Sequence, residues 1–444
     1  MEKTIRIKIM DFFYKCVYKI GERIRNYKIS EHTKMLLETD FETIENLEVL
    51  QLKRLKKLLI HAKAHSPYYQ DSLKNIDIES MSLENLEVLP VLTKQNVQEF
   101  NTQIQNRVDE QKHFKSVTSG STGNPLLFYR NLDWDAAHRA TIMRGYSWYN
   151  VKPWEKSLYF WGFNPNWKKR ILMRVTDFLM NRYRIFSYND KDFKQIRNYI
   201  SKVKYIEGYS SAIFTMSQYF SKTNQSFDQI KMVKGTSEKI FDYYQGSVQR
   251  VFNQKMISEY GSSEGSVIAY ECPSGHMHIA MENVIVEEVD KKILVTNLHS
   301  FSFPIIRYEL GDYIELDKKT LCACGRKHYI IKEVTGRIGK KIEGKNSSYP
   351  SSSLFYMFKN LVSECNVKCS YFACQDTVGI LNLKVMCEEK DEENIRGYIE
   401  KEKEVLYADD LELNIKFISE LSHKNRKVQS FESNLDNRSR TCSS

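Results

Sequence analysis

Short apolar runs that are typical of strands alternate with helical stretches through the middle of this 444-residue chain. The strand-like runs lie at residues 158–161, 205–206, 231–234 and 255–258. Such alternation favours a mainly parallel sheet with helices on its faces. Two further runs, 284–289 and 292–296, are close enough together to form a hairpin, so the region after residue 270 is predicted to be more antiparallel. The sequence therefore predicts an α/β fold.

Length and composition exclude several classes of protein. At about 150 residues per domain, the chain holds roughly three domains' worth of residues, or one large domain and a small one. Hydrophobic residues make up 41% of the chain, which excludes wholesale disorder, and a net charge of +10 over this length does not argue for nucleic acid. Nine cysteines are too sparse for a disulfide scaffold, and an odd number cannot all pair within the chain. Without a long apolar run or a signal peptide, we expect a soluble cytoplasmic protein.

Four segments follow from these patterns. Residues 1–30 form a basic N-terminal segment, and residues 31–338 form the large domain. Residues 339–432 contain strand-like runs and a charged helix, which predicts a small α+β domain. The polar tail, 433–444, is expected to be flexible.

The N-terminal segment has the pattern of an amphipathic helix. It carries eight Lys or Arg residues and three acidic ones, and apolar residues recur at spacings of three and four. These residues are Met10, Phe13, Val17, Ile20 and Ile24. We expect the helix to dock on its own domain; the alternative is peripheral contact with an anionic membrane surface.

The densest cluster of small polar residues is Thr-Ser-Gly-Ser-Thr-Gly-Asn-Pro at 118–125. Its backbone N–H groups and four hydroxyls could converge on phosphate oxygens, and its glycines permit the backbone conformations that such a loop needs. The segment lacks the Gly-Lys-Ser/Thr ending of the P-loop, which excludes that class of nucleotide site. The alternative is a flexible surface turn.

Three later turns combine glycine with charged or aromatic residues. Tyr260 precedes a Gly-Ser-Ser-Glu turn that ends in Glu264, and this pair could stack a base and bind a hard cation. Asp312 follows Gly311 and could accept hydrogen bonds from sugar hydroxyls. Arg337 follows Gly336, between a predicted strand and the last segment, where a hinge would lie. Each of these is also compatible with an ordinary turn or salt bridge.

Taken together, the order and spacing of these motifs resemble the adenylate-forming, acyl-CoA synthetase superfamily. The segments at 61–69, 89–94 and 322–326 resemble its phenylacetate–CoA ligase-like branch, which includes the CapK proteins of polysaccharide gene clusters. The resemblance extends from about residue 45 to 432. It implies that residues 31–338 form an adenylation domain that binds ATP and a carboxylic acid, and that 339–432 form a mobile domain.

The resemblance also implies roles for individual residues. Thr118 and the rest of its loop would surround the ATP phosphates, Tyr260 would pack on the adenine, and Asp312 would hold the ribose. Glu264 would bind Mg²⁺ and act in catalysis with Thr118. The implied ATP-binding residues are Ser119, Gly120, Ser121, Thr122, Gly123, Ser237, Glu238, Tyr260, Gly261, Ser262, Ser263, Asp312 and Arg337. The implied acyl pocket contains Trp161, Tyr209 and Gly235, although Trp161 could equally belong to a buried strand.

A lysine near the C-terminus stabilises the developing negative charge in this superfamily, and Lys427 is the best match. Two departures accompany it. Arg426 replaces the glycine that usually precedes the lysine, and Gly339 and Lys340 stand where aspartates commonly follow the Gly-Arg junction.

Cysteines and histidines form a second constellation. Cys272 and His278 lie about 50 residues before Cys322 and Cys324, and these three thiolates with one imidazole could bind a structural Zn²⁺. His276 is the alternative imidazole, and the alternative to a metal site is a pair of buried cysteines with exposed histidines.

The resemblance implies that the chain activates a carboxylic acid as an acyl-adenylate and passes the acyl group to coenzyme A, in surface polysaccharide biosynthesis. Its cofactors would be ATP and Mg²⁺, with coenzyme A as acyl acceptor and Zn²⁺ as a structural ion. Alternatives are transfer to an amine on a sugar precursor or to a carrier protein, or a non-catalytic membrane-associated scaffold. The chain is compatible with a homodimer, and no nucleic-acid partner is expected.

Overall fold

The computed structural model describes residues 2–106, 112–117, 126–160, 167–185, 190–237, 239–337, 341–351, 353–354, 357–358, 361, 365, 367, 369–418 and 431–435. Its helices are α1 (Glu2–Arg25), α2 (Ile29–Glu38), α3 (Ile44–His65), α4 (Pro67–Ser72), α5 (Lys94–Glu99), α6 (Asn101–Ile104), α7 (Leu132–Trp148), α8 (Trp167–Leu179), α9 (Asp190–Ile200), α10 (Ser210–Lys222), α11 (Asp242–Phe252) and α12 (Glu392–Leu406).

The strands are β1 (Phe114–Val117), β2 (Leu127–Arg130), β3 (Ser157–Phe160), β4 (Arg182–Arg184), β5 (Tyr205–Tyr209), β6 (Met232–Thr236), β7 (Met256–Ser262), β8 (Ser266–Glu271), β9 (Met277–Ile279), β10 (Val284–Val289), β11 (Lys292–Asn297), β12 (Tyr308–Asp317), β13 (Ile330–Arg337), β14 (Lys341–Glu343), β15 (Ser348–Pro350), β16 (Cys369–Thr377), β17 (Ile380–Cys387), β18 (Glu412–Phe417) and β19 (Phe431–Ser433). From β2 to β7 one helix separates each pair of consecutive strands, and β7 to β13 then follow one another directly.

An 11-stranded sheet dominates the fold, in the order β10-β11-β12-β13-β9-β8-β7-β6-β5-β3-β4. Strands β4, β3, β5, β6 and β7 pair in parallel. From β7 onward the pairs β7–β8, β8–β9, β9–β13 and β10–β11 are antiparallel. The predicted α/β class, with a parallel part followed by a more antiparallel one, is confirmed.

Helix α3 shows how the sequence builds the core beneath the antiparallel part. The Thr43 side chain accepts a hydrogen bond from the Asn46 N–H and caps the start of the helix, and the helix ends where Pro67 begins α4. Leu55, Leu58 and other apolar residues on one face are fully buried in the same cluster as Phe128 and Phe303. This packing fixes α3 against the sheet.

The chain divides into two compact units. The first contains residues 1–240, 247–310 and 314–334, and the second contains 241–246, 311–313 and 335–444. In the second unit, a four-stranded sheet in the order β18-β17-β16-β19 shares a buried core with α12. The predicted division of the chain at residue 338 stays a prediction.

Within the described residues, no helix combines the length and the apolar character needed to cross a bilayer. Helix α1 forms as its periodicity predicts, but its inward face differs from the expected one. Tyr14 is buried, whereas Phe13, Ile20 and Ile24 of the predicted apolar face are exposed.

Candidate active site

The carboxyl ends of the parallel strands lie side by side at one edge of the sheet. Backbone pairing aligns Gly208 of β5 with Gly235 of β6, and the next row aligns Tyr209, Thr236 and Glu259. In open α/β sheets, ligands bind in the crevice outside these carboxyl ends. The strand register therefore brings the predicted pocket residues Tyr209 and Gly235 to the edge where a ligand is expected.

Gly235 lies at a position that has no room for a side chain. A Cβ atom there would lie 2.4 Å from the Ser210 hydroxyl and 2.9 Å from the Met256 sulfur. The next residue but one, Ser237, has a positive φ of 65°, so the backbone turns sharply as it leaves β6. The strand thus ends in a sharp change of backbone direction at the sheet edge.

The β7–β8 connection holds the Tyr-Gly-Ser-Ser-Glu motif. Tyr260 pairs with Ala269 and Gly261 with Val267. A Cβ on Gly261 would lie 2.2 Å from the Ser266 carbonyl oxygen, so only glycine fits this close approach. The Ser262 hydroxyl accepts a hydrogen bond of 2.7 Å from the Gly265 N–H and closes the turn.

Glu264 lies in this turn with its main chain anchored and its carboxylate only loosely bound. The Asn297 amide donates to its carbonyl oxygen over 3.2 Å, and the Tyr308 hydroxyl lies 3.5 Å from its Oε1. A carboxylate held in this way can offer an oxygen ligand to a hard cation.

Arg130 connects β2 with the same turn. Its guanidinium donates to the Ser263 carbonyl oxygen and lies over the rings of Phe128 and Trp134. Burial lowers the pKa of Arg130 to about 10, and the nearby carboxylates of Asp135 and Glu264 oppose this shift. The result is a half-buried cation near the carboxylate that is predicted to bind a cation.

A second charged group lies beneath the sheet edge. Lys234 donates to Glu259 over 2.7 Å and contacts Glu207 over 3.1 Å. Burial alone would lower the pKa of Lys234, but the two carboxylates outweigh it and hold the pKa well above its usual value. Glu259 directly precedes Tyr260, so this charged group fixes the start of the motif.

The remaining predicted site residues lie in β12 and β13 or outside the described part of the chain. Asp312 lies in the middle of β12, and Arg337 ends β13. Strands β1 and β2, on either side of the phosphate loop, pair antiparallel from Val117 to Leu127. The residues outside the described ranges are Thr118, Ser119, Gly120, Ser121, Thr122, Gly123, Trp161, Glu238, Gly339, Lys340, Arg426 and Lys427.

The structure brings the predicted Cys/His set together. The ligand atoms of Cys272, His278, Cys322 and Cys324 all lie within 4.8 Å of one another. The sulfurs of Cys272 and Cys322 are 3.6 Å apart, and the Cys324 sulfur lies 3.3 Å from His278 Nε2. His276 contacts only Cys322 of this set, over 3.3 Å between its Nδ1 and the sulfur. The geometry thus favours His278 over His276.

These distances fit a tetrahedral zinc ion. With Zn–S bonds of about 2.3 Å, two sulfur ligands lie about 3.8 Å apart and a sulfur and a nitrogen lie about 3.6 Å apart. His278 Nδ1 is hydrogen-bonded to the His328 carbonyl over 3.1 Å, which leaves Nε2 facing the cysteines. Histidines that bind metals are usually oriented by such a bond.

Buried ion pairs that sequence reasoning missed surround this cluster. Asp40 accepts hydrogen bonds from Arg326 over 2.7 Å and from the Trp148 indole over 3.1 Å. Glu282 accepts from Arg144 over 2.7 Å, and His328 Nε2 lies 3.1 Å from the same oxygen. No local pattern marks these partners, because they are far apart in the sequence.

Comparisons with known proteins agree with the sequence motifs. No family model matches the chain. It is 23% identical to "Protein CapK" of Staphylococcus aureus over 394 residues, which cover 84% of this chain and 86% of CapK.

Solved structures with a similar fold include 2-hydroxyisobutyryl-CoA ligase in the postadenylation state. Its complexes with 2-HIB-AMP and R3-HIB-AMP match with TM-scores of 0.65 and 0.64 at 14% and 13% identity, and each match covers 90% of this chain and 93% of the ligase. The same ligase with 2-HIB-AMP and CoA in the thioesterification state matches with a TM-score of 0.56. The chain therefore has the fold of an adenylate-forming CoA ligase, and its similarity to CapK confirms the resemblance that its motifs predict.

Proposed function

We propose that this chain is an ATP-dependent ligase that activates a carboxylic acid as an acyl-adenylate and transfers the acyl group to coenzyme A. The observation that carries the proposal is the alignment of Tyr209, Thr236 and Glu259 at the carboxyl edge of the sheet, with the Tyr260–Glu264 turn directly after it. This edge is where the fold places a ligand.

In the first half-reaction, a carboxylate oxygen attacks the α-phosphorus of ATP. A P–O bond to the acyl oxygen forms as the bond to pyrophosphate breaks, and pyrophosphate leaves. Both reactants are anionic, so the site must offset their repulsion where the new bond forms. A Mg²⁺ ion bound by Glu264 would neutralise charge on the phosphates. The chain's own contribution is the position of that carboxylate, which the close approach at Gly261 and the hydrogen bond to the Glu264 carbonyl fix.

The remaining roles follow the resemblance. We assign Tyr260 to the adenine, Asp312 and Arg337 to the ribose, and the 118–125 loop to the phosphates. We assign Lys427 to the oxygens between which negative charge develops. Loss of one such positive group typically costs about 2.7–4 kcal/mol, or about 10²–10³ in rate.

The second half-reaction transfers the acyl group from AMP to a nucleophile. We propose the thiol of coenzyme A as acceptor: the C–S bond forms, the bond to AMP breaks and the thiol proton is lost to solvent. The similarity to CapK leads us to place the product in surface polysaccharide biosynthesis.

We also propose a structural Zn²⁺ ion at Cys272, His278, Cys322 and Cys324. Four donors of the type and spacing that zinc prefers come from the β8–β9 turn and from the loop before β13. The ion would join these two segments.

Hydroxylamine trapping tests the activation step. Purified protein is incubated with ATP, Mg²⁺ and hydroxylamine over a panel of aryl, fatty and amino acids, and hydroxamate is measured. We expect hydroxamate with at least one acid, a loss of about 10²–10³ in Lys427→Ala, and little change in Lys424→Ala as the matched control. Equal losses in the two lysine variants would refute the assignment of Lys427. No hydroxamate from any acid, with no thermal shift on ATP addition, would refute carboxylate activation.

A second arm identifies the acceptor. Each active acid is repeated with coenzyme A instead of hydroxylamine, and the thioester is measured by mass spectrometry. A thioester supports the ligase reaction. Hydroxamate without a thioester would favour an amine acceptor on a sugar precursor or a carrier protein.

A further inference from the structure

Among the described residues, two neighbouring helices of the first unit carry apolar faces that are exposed. Helices α1 and α8 contact each other, and the rings of Tyr14 and Phe178 lie 6.3 Å apart in an edge-on arrangement. Their outward apolar side chains are Ile9, Met10, Phe12, Phe13, Ile20 and Ile24 on α1, and Ile171, Leu172, Val175, Phe178 and Leu179 on α8. We call these eleven residues the α1–α8 surface.

Helix α1 is attached to the protein by its opposite face. Tyr14 is buried, the Tyr18 hydroxyl donates to the Met143 sulfur over 3.2 Å, and Arg25 pairs with Asp135 over 2.7 Å. The contacts that hold the helix therefore do not use its apolar stripe. Ile24, for example, is 75% exposed.

Helix α8 is attached in the same way. Its one acidic residue, Asp177, is buried and pairs with Arg182 and Arg184. The face opposite Asp177 carries the five apolar side chains, of which Leu172 is 68% exposed. A polar inward anchor and an apolar outward face are the reverse of what a helix of a soluble core presents.

The positive charge of the two helices indicates which kind of surface they bind. Helix α1 has seven Lys or Arg residues and three acidic ones, and α8 has four and one, so these 37 residues carry +7 of the chain's net +10. An exposed apolar face on a strongly basic helix is typical of helices that lie in the interface of an anionic bilayer. A second copy of this chain would instead bring the same positive charges together.

We infer that the α1–α8 surface binds an anionic membrane surface, with both helices lying in the plane of the interface. The apolar side chains enter the boundary between headgroups and acyl chains, and Lys and Arg residues of the two helices contact anionic headgroups. The test of this surface does not depend on the substrate of the proposed ligase reaction.

Vesicle flotation of the full chain tests the inference. We expect the protein to float with phosphatidylcholine vesicles that contain phosphatidylserine, and not with pure phosphatidylcholine vesicles, and we expect the binding to weaken as salt is raised. Ile20→Ser/Ile24→Ser on α1 and Leu172→Ser/Val175→Ser on α8 should each lower the partition coefficient by at least about tenfold, because each removes two inserted apolar side chains.

The matched control is Val49→Ser/Ile60→Ser on α3, which also replaces two exposed apolar residues of one helix in the same unit. It should bind as the unchanged chain does, and thermal melting should show that all three variants fold. The inference is overturned by an absence of flotation, by equal flotation with both kinds of vesicle, or by an α8 variant that binds normally. A concentration-dependent dimer in sedimentation that the α1 and α8 changes abolish, without flotation, would assign the surface to a second copy.

Discussion

The buried Glu282 carboxylate gives the sharpest test of what holds the first unit together. It is 0% exposed, and its Oε1 accepts from Arg144 over 2.7 Å and from Thr39 over 2.6 Å and lies 3.1 Å from His328 Nε2. Glu282→Gln keeps the size and one accepting oxygen but removes the charge, which leaves the Arg144 guanidinium, 2% exposed, without its closest counter-charge. Breaking a buried pair in this way costs about 3–5 kcal/mol. At about 2 °C per kcal/mol for a unit of this size, the melting temperature should fall by about 6–10 °C.

Glu38→Gln is the matched control, because it makes the same chemical change in an exposed pair. Glu38 lies 3.7 Å from Lys34, with both side chains more than half exposed. Such pairs contribute less than about 1 kcal/mol, so the melting temperature should move by no more than about 2 °C. Differential scanning calorimetry of the three proteins measures both shifts. Equal shifts in the two variants would show that burial of the Glu282 pair adds nothing.

The ionisation of Glu282 should make the stability of the fold depend on pH. Burial alone would raise the pKa of Glu282, but Arg144 and then His328 outweigh it and hold the pKa well below its usual range. Ionisation of Glu282 therefore stabilises the fold at pH values above its unfolded pKa of about 4.3, and this contribution is lost as the pH falls below that value. The difference in melting temperature between the unchanged protein and Glu282→Gln should accordingly shrink under acid.

Three further outcomes are expected. Gly261→Ala places a Cβ 2.2 Å from a backbone carbonyl oxygen and should lower both the melting temperature and the ATP-induced thermal shift. Gly397→Ala, whose new Cβ would lie in open space on α12, should instead stabilise the protein by about 0.5–1 kcal/mol. Cys324→Ser should lower the zinc content measured by mass spectrometry and make the melting temperature insensitive to chelators, while Cys374→Ser should leave both unchanged. Burial opposes ionisation of Asp133, but hydrogen bonds from a histidine and a lysine at the start of α2 outweigh this effect and lower its pKa. Asp133→Asn should therefore destabilise the protein at neutral pH. It should also reduce the loss of stability as the pH falls through about 4, which circular dichroism measures.

Local sequence patterns predicted the elements of the sheet well. The runs at 158–161, 205–206, 231–234 and 255–258 fall on β3, β5, β6 and β7, and the predicted hairpin is the β10–β11 pair. The runs at 205–206, 231–234 and 255–258 stop short of the carboxyl ends of β5, β6 and β7, because these strands continue into polar residues at the edge of the candidate site. Tyr209 and Thr236 extend β5 and β6 beyond the apolar core, and periodicity does not report such residues.

Contacts between distant residues could not be predicted in the same way. Arg144 and Glu282 are 138 positions apart, and Asp40 and Arg326 are 286 apart. In the sequence, a charged residue that becomes buried looks the same as one that stays exposed. Only the fold decides which carboxylate meets which cation. The Cys/His set is the exception, because residue type and pairwise spacing restrict it. The antiparallel pairing of β9 with β13 brings its two halves together, and the choice of His278 over His276 required the structure.

Helix α1 shows where the pattern itself is ambiguous. A stripe of apolar residues at helical spacing predicts that one face of the helix is covered, and it does not specify what covers it. The expectation was that the stripe faces the helix's own domain; instead Tyr14 and Tyr18 face inward, and Phe13, Ile20 and Ile24 face outward. Tyrosine can serve as the inward anchor because its ring packs against apolar neighbours while its hydroxyl finds an acceptor, here the Met143 sulfur. An apolar stripe on a strongly basic helix is therefore compatible with two opposite orientations, and the identity of the residues on the other face decides between them.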